Sequence, residues 1–212
     1  MINKPTTAAD YTPEMVTLVR STCLYLATKL GDLMDEIVVV GGLVPSLLID
    51  QSNLPADTDP HAGTMDLDLG IAFALVNEER YAEVTERLAS DGFKPDLNTK
   101  RQIRVCGAGA FVVLKALAFR NRGENKDAYD LFYLLRNYGS SVEAIADELR
   151  PLREDSSTKK ALHYLDEDFQ QIDSIGPKRV AEFLFGQSDE TIQADTLGYV
   201  RQLLQAVQQK NP

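Results

Sequence analysis

Apolar side chains recur at Met15, Val16, Leu18, Val19, Cys23, Leu26 and Ala27, a spacing that predicts a helix over residues 12–30 closed by Gly31. The run "EIVVVGG" that follows has four consecutive apolar residues, three of them valines, and predicts a buried strand ending at glycines. "LVPSLLID" then opens a helix whose first turn suits Pro45. "QSNLPADTDPHAG" has the composition of a loop, and the alternation in "TMDLDLGIAF" predicts a second strand. A charged amphipathic helix is expected over residues 78–90, ending at "DGF", and a short strand in "QIRVC". From residue 108 onward the pattern is almost wholly helical, with helices expected over 108–120, 126–137, 142–149, 158–169, 177–185 and 190–209. The class read from this order is α+β: an α/β half, residues 1–107, followed by an all-helical half, residues 108–212. No internal repeat or low-complexity segment interrupts it.

Composition narrows the function. The 212 residues are 44% hydrophobic and 25% charged, as in an ordinary globular protein, and no apolar run is long enough to span a bilayer. The first residues lack a basic start followed by an apolar core, so the expected compartment is the cytoplasm. Cys23 and Cys106 form no CxxC pair and read as buried small hydrophobes. A net charge of -10 counts against a broad nucleic-acid-binding surface. Positive residues nonetheless gather over residues 94–126, and Lys94, Lys100, Arg101 and Arg104 are the basic track an RNA acceptor would need. A solvated basic face is the ordinary explanation of such a cluster.

Four short stretches carry candidate chemistry. In a strand, side chains two apart share a face, so Asp66 and Asp68 point one way, with backbones about 7 Å apart, while Met65, Leu67, Leu69 and Ile71 point to the core. Two such carboxylates can converge on Mg²⁺, which keeps its other positions for water and phosphate. Polar alternation on any half-buried strand explains the pair equally well. Gly41 and Gly42, at a strand-to-helix turn, let backbone approach a ligand, or serve a tight turn alone. Lys115 sits among Val112, Val113, Leu114 and Leu117, where a lysine is costly unless it reaches an anion or water. "RGENKDAYDL" places Arg122 and Lys126 beside Asp127 and Asp130, which are three apart on one helical face. Asp127 as a first-turn residue and Asp130 as a partner of Arg122 or Arg136 are the structural alternatives.

Taken in order, "VVVGG", "TMDLDL", "LKALA" and "RNRGENKDAYDL" resemble the AbiEii-type nucleotidyltransferases, the toxin-like branch of the polymerase-β-like superfamily. The resemblance spans residues 37–135. It implies a nucleotidyltransferase-like mixed sheet with flanking helices, and a helical half that contributes active-site residues. It also implies Mg²⁺-dependent transfer of a nucleoside monophosphate from an NTP to a tRNA, protein or small-molecule acceptor, in a toxin with a cognate antitoxin. Carried over to this chain, Gly41 and Gly42 hold the triphosphate turn, and Asp66 and Asp68 hold the metal. Lys115 contacts phosphate and Asp127 lies near the attacking hydroxyl, supported by Lys126 and Asp130. Positioning and charge neutralisation are what such transfer requires.

Two positions depart from the pattern. Leu43 follows Gly42 where a small polar residue is usual, Ser46 coming only later. The third carboxylate expected on a neighbouring strand has no clear counterpart, since Asp96 stands beside Pro95. Strands missing near Lys100, a dispensable third ligand, or a catalytically degenerate protein that keeps the fold as an interaction module are the open explanations. Residues 172–184, "IDSIGPKRVAEFL", have the look of half a DNA-gripping helical hairpin, although Gly176 and Pro177 equally begin a plain helix. His61 and His163 are too isolated for a zinc site, and neither a Walker loop nor GxSxG occurs.

Overall fold

The computed structural model describes residues 5–56, 58–71 and 103–209. The helix expected over residues 78–90, the end of the second strand beyond Ile71, and Lys94, Asp96, Lys100 and Arg101 lie outside them. The chain divides into two compact units. One comprises Thr12–Val44 and Gly63–Cys106; the other comprises Met1–Tyr11, Pro45–Ala62 and Gly107–Pro212.

The smaller unit is built on α1, Pro13–Leu30. Thr12 caps it by accepting from the Met15 N–H, and Pro13 takes the first position, where its missing N–H costs nothing. Gly31 ends the helix at φ 56°, as expected from sequence. Ala27 and Leu30 pack with Leu33, Met34 and Ile37, and Leu26, Leu69 and Ile103 cover that cluster. Leu18, read as part of the apolar face, is instead 63% exposed.

Strand β1, Ile37–Val40, pairs antiparallel with β2, Asp68–Ile71, in the register Val40 to Asp68 and Ile37 to Ile71. On β1 the Val39 N–H also donates to the Arg104 carbonyl at 2.8 Å, and the Cys106 N–H donates to the Val39 carbonyl at 3.0 Å. This makes an isolated parallel bridge between Val39 and Val105, within the segment expected to be a short strand. Among the described residues the sheet has two strands. Gly41–Leu43 forms a single 3₁₀ turn after β1, and α2, Val44–Leu48, follows with Pro45 in its first turn. The expected glycine turn and helix opening are both present.

The larger unit is helical. It contains α3 (Ala108–Arg122), α4 (Asn125–Asn137), α5 (Val142–Leu149), α6 (Ser156–Asp168), α7 (Ile175–Phe185) and α8 (Glu190–Gln208). Each lies within two residues of its sequence expectation. Asp155 and Asp189 cap α6 and α8 with their carboxylates. Helix α4 is central, packing on α3, α7 and α8, and its residues from Asp127 through Leu135 are all buried. A helix buried all round must be apolar or carry paired polar groups. Leu131, Leu134 and Leu135 meet that demand with about 1.5–3 kcal/mol of hydrophobic stabilisation each, whereas Asp127 and Asp130 have to meet it with partners. Both cysteines are free and buried.

Candidate functional site

In the smaller unit, register brings two of the sequence motifs into contact. Val40 faces Asp68 across the β1/β2 pair, so the glycine turn after Val40 lies beside the Asp68 side chain. Gly41 adopts φ +73°, and a Cβ placed on it would stand 2.0 Å from Asp68 Oδ2. Only glycine satisfies both the left-handed backbone and the space the carboxylate occupies. Asp66 precedes the strand, and the Thr64 hydroxyl accepts from its N–H at 3.2 Å. Gly63, at φ +83°, brings the chain so close to α1 that a Cβ would lie 2.3 Å from Val16 Cγ2. The Asp66 segment is therefore pinned on both its backbone and its helix-facing side.

Asp66 and Asp68 are both exposed, while Leu69 packs on the core, as alternation predicts. Exposure leaves their oxygens available to a hard cation, and the missing side chain at Gly41 is what lets the Asp68 carboxylate sit against the turn. Two carboxylates without histidine or thiol suit Mg²⁺, which completes its shell with water and phosphate. Among the described residues no group of three or more His, Cys, Asp or Glu gathers as a metal site.

In the larger unit, Lys115 on α3 turns inward and is 5% exposed, while its neighbour Leu114 is 46% exposed. The helix presents its lysine to the core because α4 offers two buried carboxylates there. Lys115 Nζ lies 2.9 Å from Asp127 Oδ1 and 2.7 Å from Asp130 Oδ2. Arg122, at the last turn of α3, grips Asp127 bidentately, Nε to Oδ2 at 2.6 Å and Nη2 to Oδ1 at 2.8 Å. Gly123 then closes α3 in the left-handed conformation, and α4 begins two residues later. That tight corner puts Arg122 within reach of the first turn of α4. Lys126 reaches Asp130 one turn along the same helix.

His61 completes this cluster, a residue that no spacing motif singles out. Its ring lies 15° from coplanar with Tyr129 at 5.3 Å and meets Tyr133 edge-on at 4.8 Å. Nε2 is 2.9 Å from Asp130 Oδ1 and Nδ1 is 3.0 Å from Ser46 Oγ. An ionised carboxylate only accepts, so Nε2 carries the proton and the Ser46 hydroxyl donates to Nδ1. Around the ring, Gln51 Oε1 accepts from the His61 N–H at 2.8 Å and from the Tyr133 hydroxyl at 3.1 Å. The Tyr129 hydroxyl accepts from the Ala62 N–H at 3.0 Å. The loop that ends at Ala62 is thereby tied to α4 by side chains.

Electrostatics follow from burial and these partners. Burial, with the nearby Lys126 charge, lowers the His61 pKa to about 4 despite its bond to Asp130, so the ring is neutral near pH 7. Burial alone would push Lys115 down, but the Asp130 and Asp127 carboxylates together raise it. Lys126 is pulled down, because burial outweighs its contact with Asp130. Burial opposes the ionised form of both aspartates. Arg122 and Lys115 nevertheless hold Asp127 below the ordinary carboxylate value, and Lys115 and Lys126 do the same for Asp130.

The sequence-read residues thus form two sets. Gly41, Gly42, Asp66 and Asp68 belong to the smaller unit, with Gly42 buried in the turn. Lys115, Lys126, Asp127 and Asp130 belong to the larger, joined there by Arg122, His61 and Ser46. Arg104, of the expected basic track, pairs with Asp35 at 3.6 Å. The segment considered as a DNA-gripping hairpin contains α7, where Gly176 packs so tightly on Phe169 that a Cβ would lie 2.4 Å from its ring. A packing reason therefore accounts for that glycine. No helix among the described residues is long and apolar enough to cross a membrane.

No curated protein and no solved structure matches the chain. A family model does match, over residues 53–209, a segment that holds Asp66, Asp68, Lys115, Asp127 and Asp130 and begins after Gly41 and Gly42. With about three quarters of its length so matched, the chain belongs to the nucleotidyl transferase AbiEii toxin family of type IV toxin–antitoxin systems.

Proposed function

We propose that this protein is a Mg²⁺-dependent nucleotidyltransferase that moves a nucleoside monophosphate from an NTP to an RNA, protein or small-molecule acceptor. The observation that carries this reading is the pairing of the glycine turn with the DxD strand, Asp68 occupying the space that a side chain at Gly41 would need. Asp66 and Asp68 would hold the metal, with Gly41 and Gly42 at the triphosphate. A bound Mg²⁺ would neutralise phosphate charge and lower the barrier to departure of pyrophosphate.

In the transfer, an acceptor hydroxyl oxygen attacks the α-phosphorus, a new O–P bond forms, and the bond between the α-phosphorus and the bridging oxygen breaks. Pyrophosphate leaves with that bonding pair. The hydroxyl proton passes to the Asp127 carboxylate, Lys115 contacts phosphate oxygens, and Lys126 and Asp130 support the pair. The domain reading that accompanies this is a nucleotidyltransferase-like core in residues 1–107 and a helical domain, 108–212, that lends catalytic side chains. A mixed sheet around β1 is supported by its antiparallel partner on one edge and the parallel bridge at Val105 on the other. Family membership makes a cognate antitoxin the natural partner.

A second reading keeps the fold and drops the activity. It is favoured by one feature of the sequence, Leu43 standing after Gly42 where a small polar residue is usual. Incubation with each α-labelled NTP, Mg²⁺, and total RNA or protein separates the two. Transfer of label to one acceptor class supports the enzyme. If all four nucleotides leave both acceptor classes unlabelled, and Asp66→Ala does not alter nucleotide binding, the degenerate reading stands.

A further inference from the structure

Asp127, the proposed proton acceptor, has little of its carboxylate free in this structure. A carboxylate offers about four lone-pair positions. Lys115 and Arg122 both lie on Oδ1, at 2.9 and 2.8 Å, and Arg122 also takes Oδ2 at 2.6 Å. A carboxylate so engaged is a weak base, because two cations stabilise the form that has not taken the proton. Its cations differ in one respect. The Lys115 side chain is 7% exposed and that of Arg122 is 56% exposed, although Arg122 binds a carboxylate that is 1% exposed. Arg122 therefore joins a buried carboxylate to the exposed surface of the helix corner. Its planar fork fits phosphate oxygens as well as it fits a carboxylate.

We propose that Arg122 is a substrate-operated latch. It caps Asp127 in the absence of nucleotide, then transfers its paired hydrogen bonds to phosphate oxygens of a nucleoside triphosphate and so uncaps the base. The proposal rests on the nucleotidyltransferase reading above. Exchange of one oxyanion for another keeps two charge-assisted hydrogen bonds throughout, so it needs no unpaired guanidinium at either end. A corollary follows. Asp127 and the triphosphate compete for Arg122, so loss of the Asp127 charge strengthens nucleotide binding, and does so only while Arg122 is present.

Equilibrium binding of fluorescent NTP analogues, without acceptor, tests the latch on the full chain and on R122Q, R122K, D127N and the R122Q/D127N double variant. Thermal unfolding checks that each is folded. R122Q is expected to weaken binding about tenfold, the effect of losing a paired charge-assisted contact, with partial recovery in R122K. D127N is expected to tighten binding several-fold, and the double variant to show no such tightening relative to R122Q. Pyrophosphate should displace the analogue and a nucleoside monophosphate should not. Unchanged affinity in R122Q, or equal tightening by D127N with and without Arg122, overturns the latch while leaving nucleotide binding intact. Failure of the wild-type chain to bind any NTP overturns the latch and the nucleotidyltransferase reading together. Should D127N not fold, R122Q and R122K still decide, because Lys115 still pairs with the Asp127 carboxylate in both.

Discussion

Two pairs of aspartates in this chain stand in opposite surroundings. Asp66 and Asp68 are exposed, and the Asp68 carboxylate sits against the glycine turn at Gly41. Asp127 and Asp130 are 0% exposed, and two lysines, an arginine and a histidine surround them. The same side chain is thus left open to take a ligand from solvent in one unit, and satisfied in advance by the protein in the other. An exposed carboxylate contributes little to folding, whereas a buried one must be paired or it destabilises the fold. Substitution at the first pair is therefore expected to leave stability intact, whereas substitution at the second disturbs the fold itself.

The largest effect expected from this contrast is at Lys115. Lys115→Met removes a cation from two buried carboxylates, and breaking a buried pair in this way costs about 3–5 kcal/mol. Urea unfolding should show a large drop in midpoint. A drop no larger than that of an exposed lysine substitution would erase the distinction between the pairs.

The next effect is a dependence on pH. His61 has a pKa of about 4 when folded, against 6.5 as its ordinary value. Above pH 6.5 the ring is neutral in both states and contributes no slope. As pH falls from 6.5 towards 4 the unfolded chain binds a proton that the folded chain refuses, and stability falls by about 3 kcal/mol. The carboxylates Asp127 and Asp130 are lowered instead, so their share is lost only below their ordinary value of 3.8. Unfolding free energy measured from pH 7 to 4.5 should therefore slope downward in the wild type and more shallowly in His61→Gln. Parallel slopes would mean that His61 is not held neutral by burial.

A smaller cost is expected at the junction of glycine turn and strand. Gly41→Ala places a Cβ on the Asp68 carboxylate at a backbone with φ +73°, and left-handed backbone alone costs a non-glycine residue about 1–2 kcal/mol. The variant should fold, with a modest loss in unfolding free energy and a displaced Asp68. Full stability combined with full label transfer would show that the contact does not constrain the site.

Much of this was legible in the chain. Helices α3 to α8 follow apolar periodicity closely, and capping residues such as Thr12, Asp155 and Asp189 mark their starts. Lys115 among apolar neighbours had to reach an anion or water, and in the fold it reaches Asp127 and Asp130. Periodicity could not say which way α1 and α3 face at their edges, hence Leu18 and Leu114 in solvent. Strand β2 begins at Asp68, four residues later than alternation implies, because the Thr64 turn holds Asp66 before pairing starts. His61 was passed over because its partner Asp130 is 69 residues away, and a histidine paired with a single acid leaves no spacing motif. The one available hint was its place in a loop that also holds Gln51, whose side chain its backbone N–H reaches.

The smallest effect on stability belongs to Asp68→Asn, an exposed substitution expected to shift unfolding free energy by no more than about 0.5 kcal/mol. The same variant gives the most direct measurement of the central claim, Mg²⁺-dependent transfer of label from an α-labelled NTP. With the urea midpoint of Asp68→Asn matching the wild type, the account predicts that wild-type protein labels its acceptor and that the variant's transfer falls by at least about a hundredfold, the scale of losing a group that supports the transition state. Transfer by Asp68→Asn at the wild-type rate would contradict it.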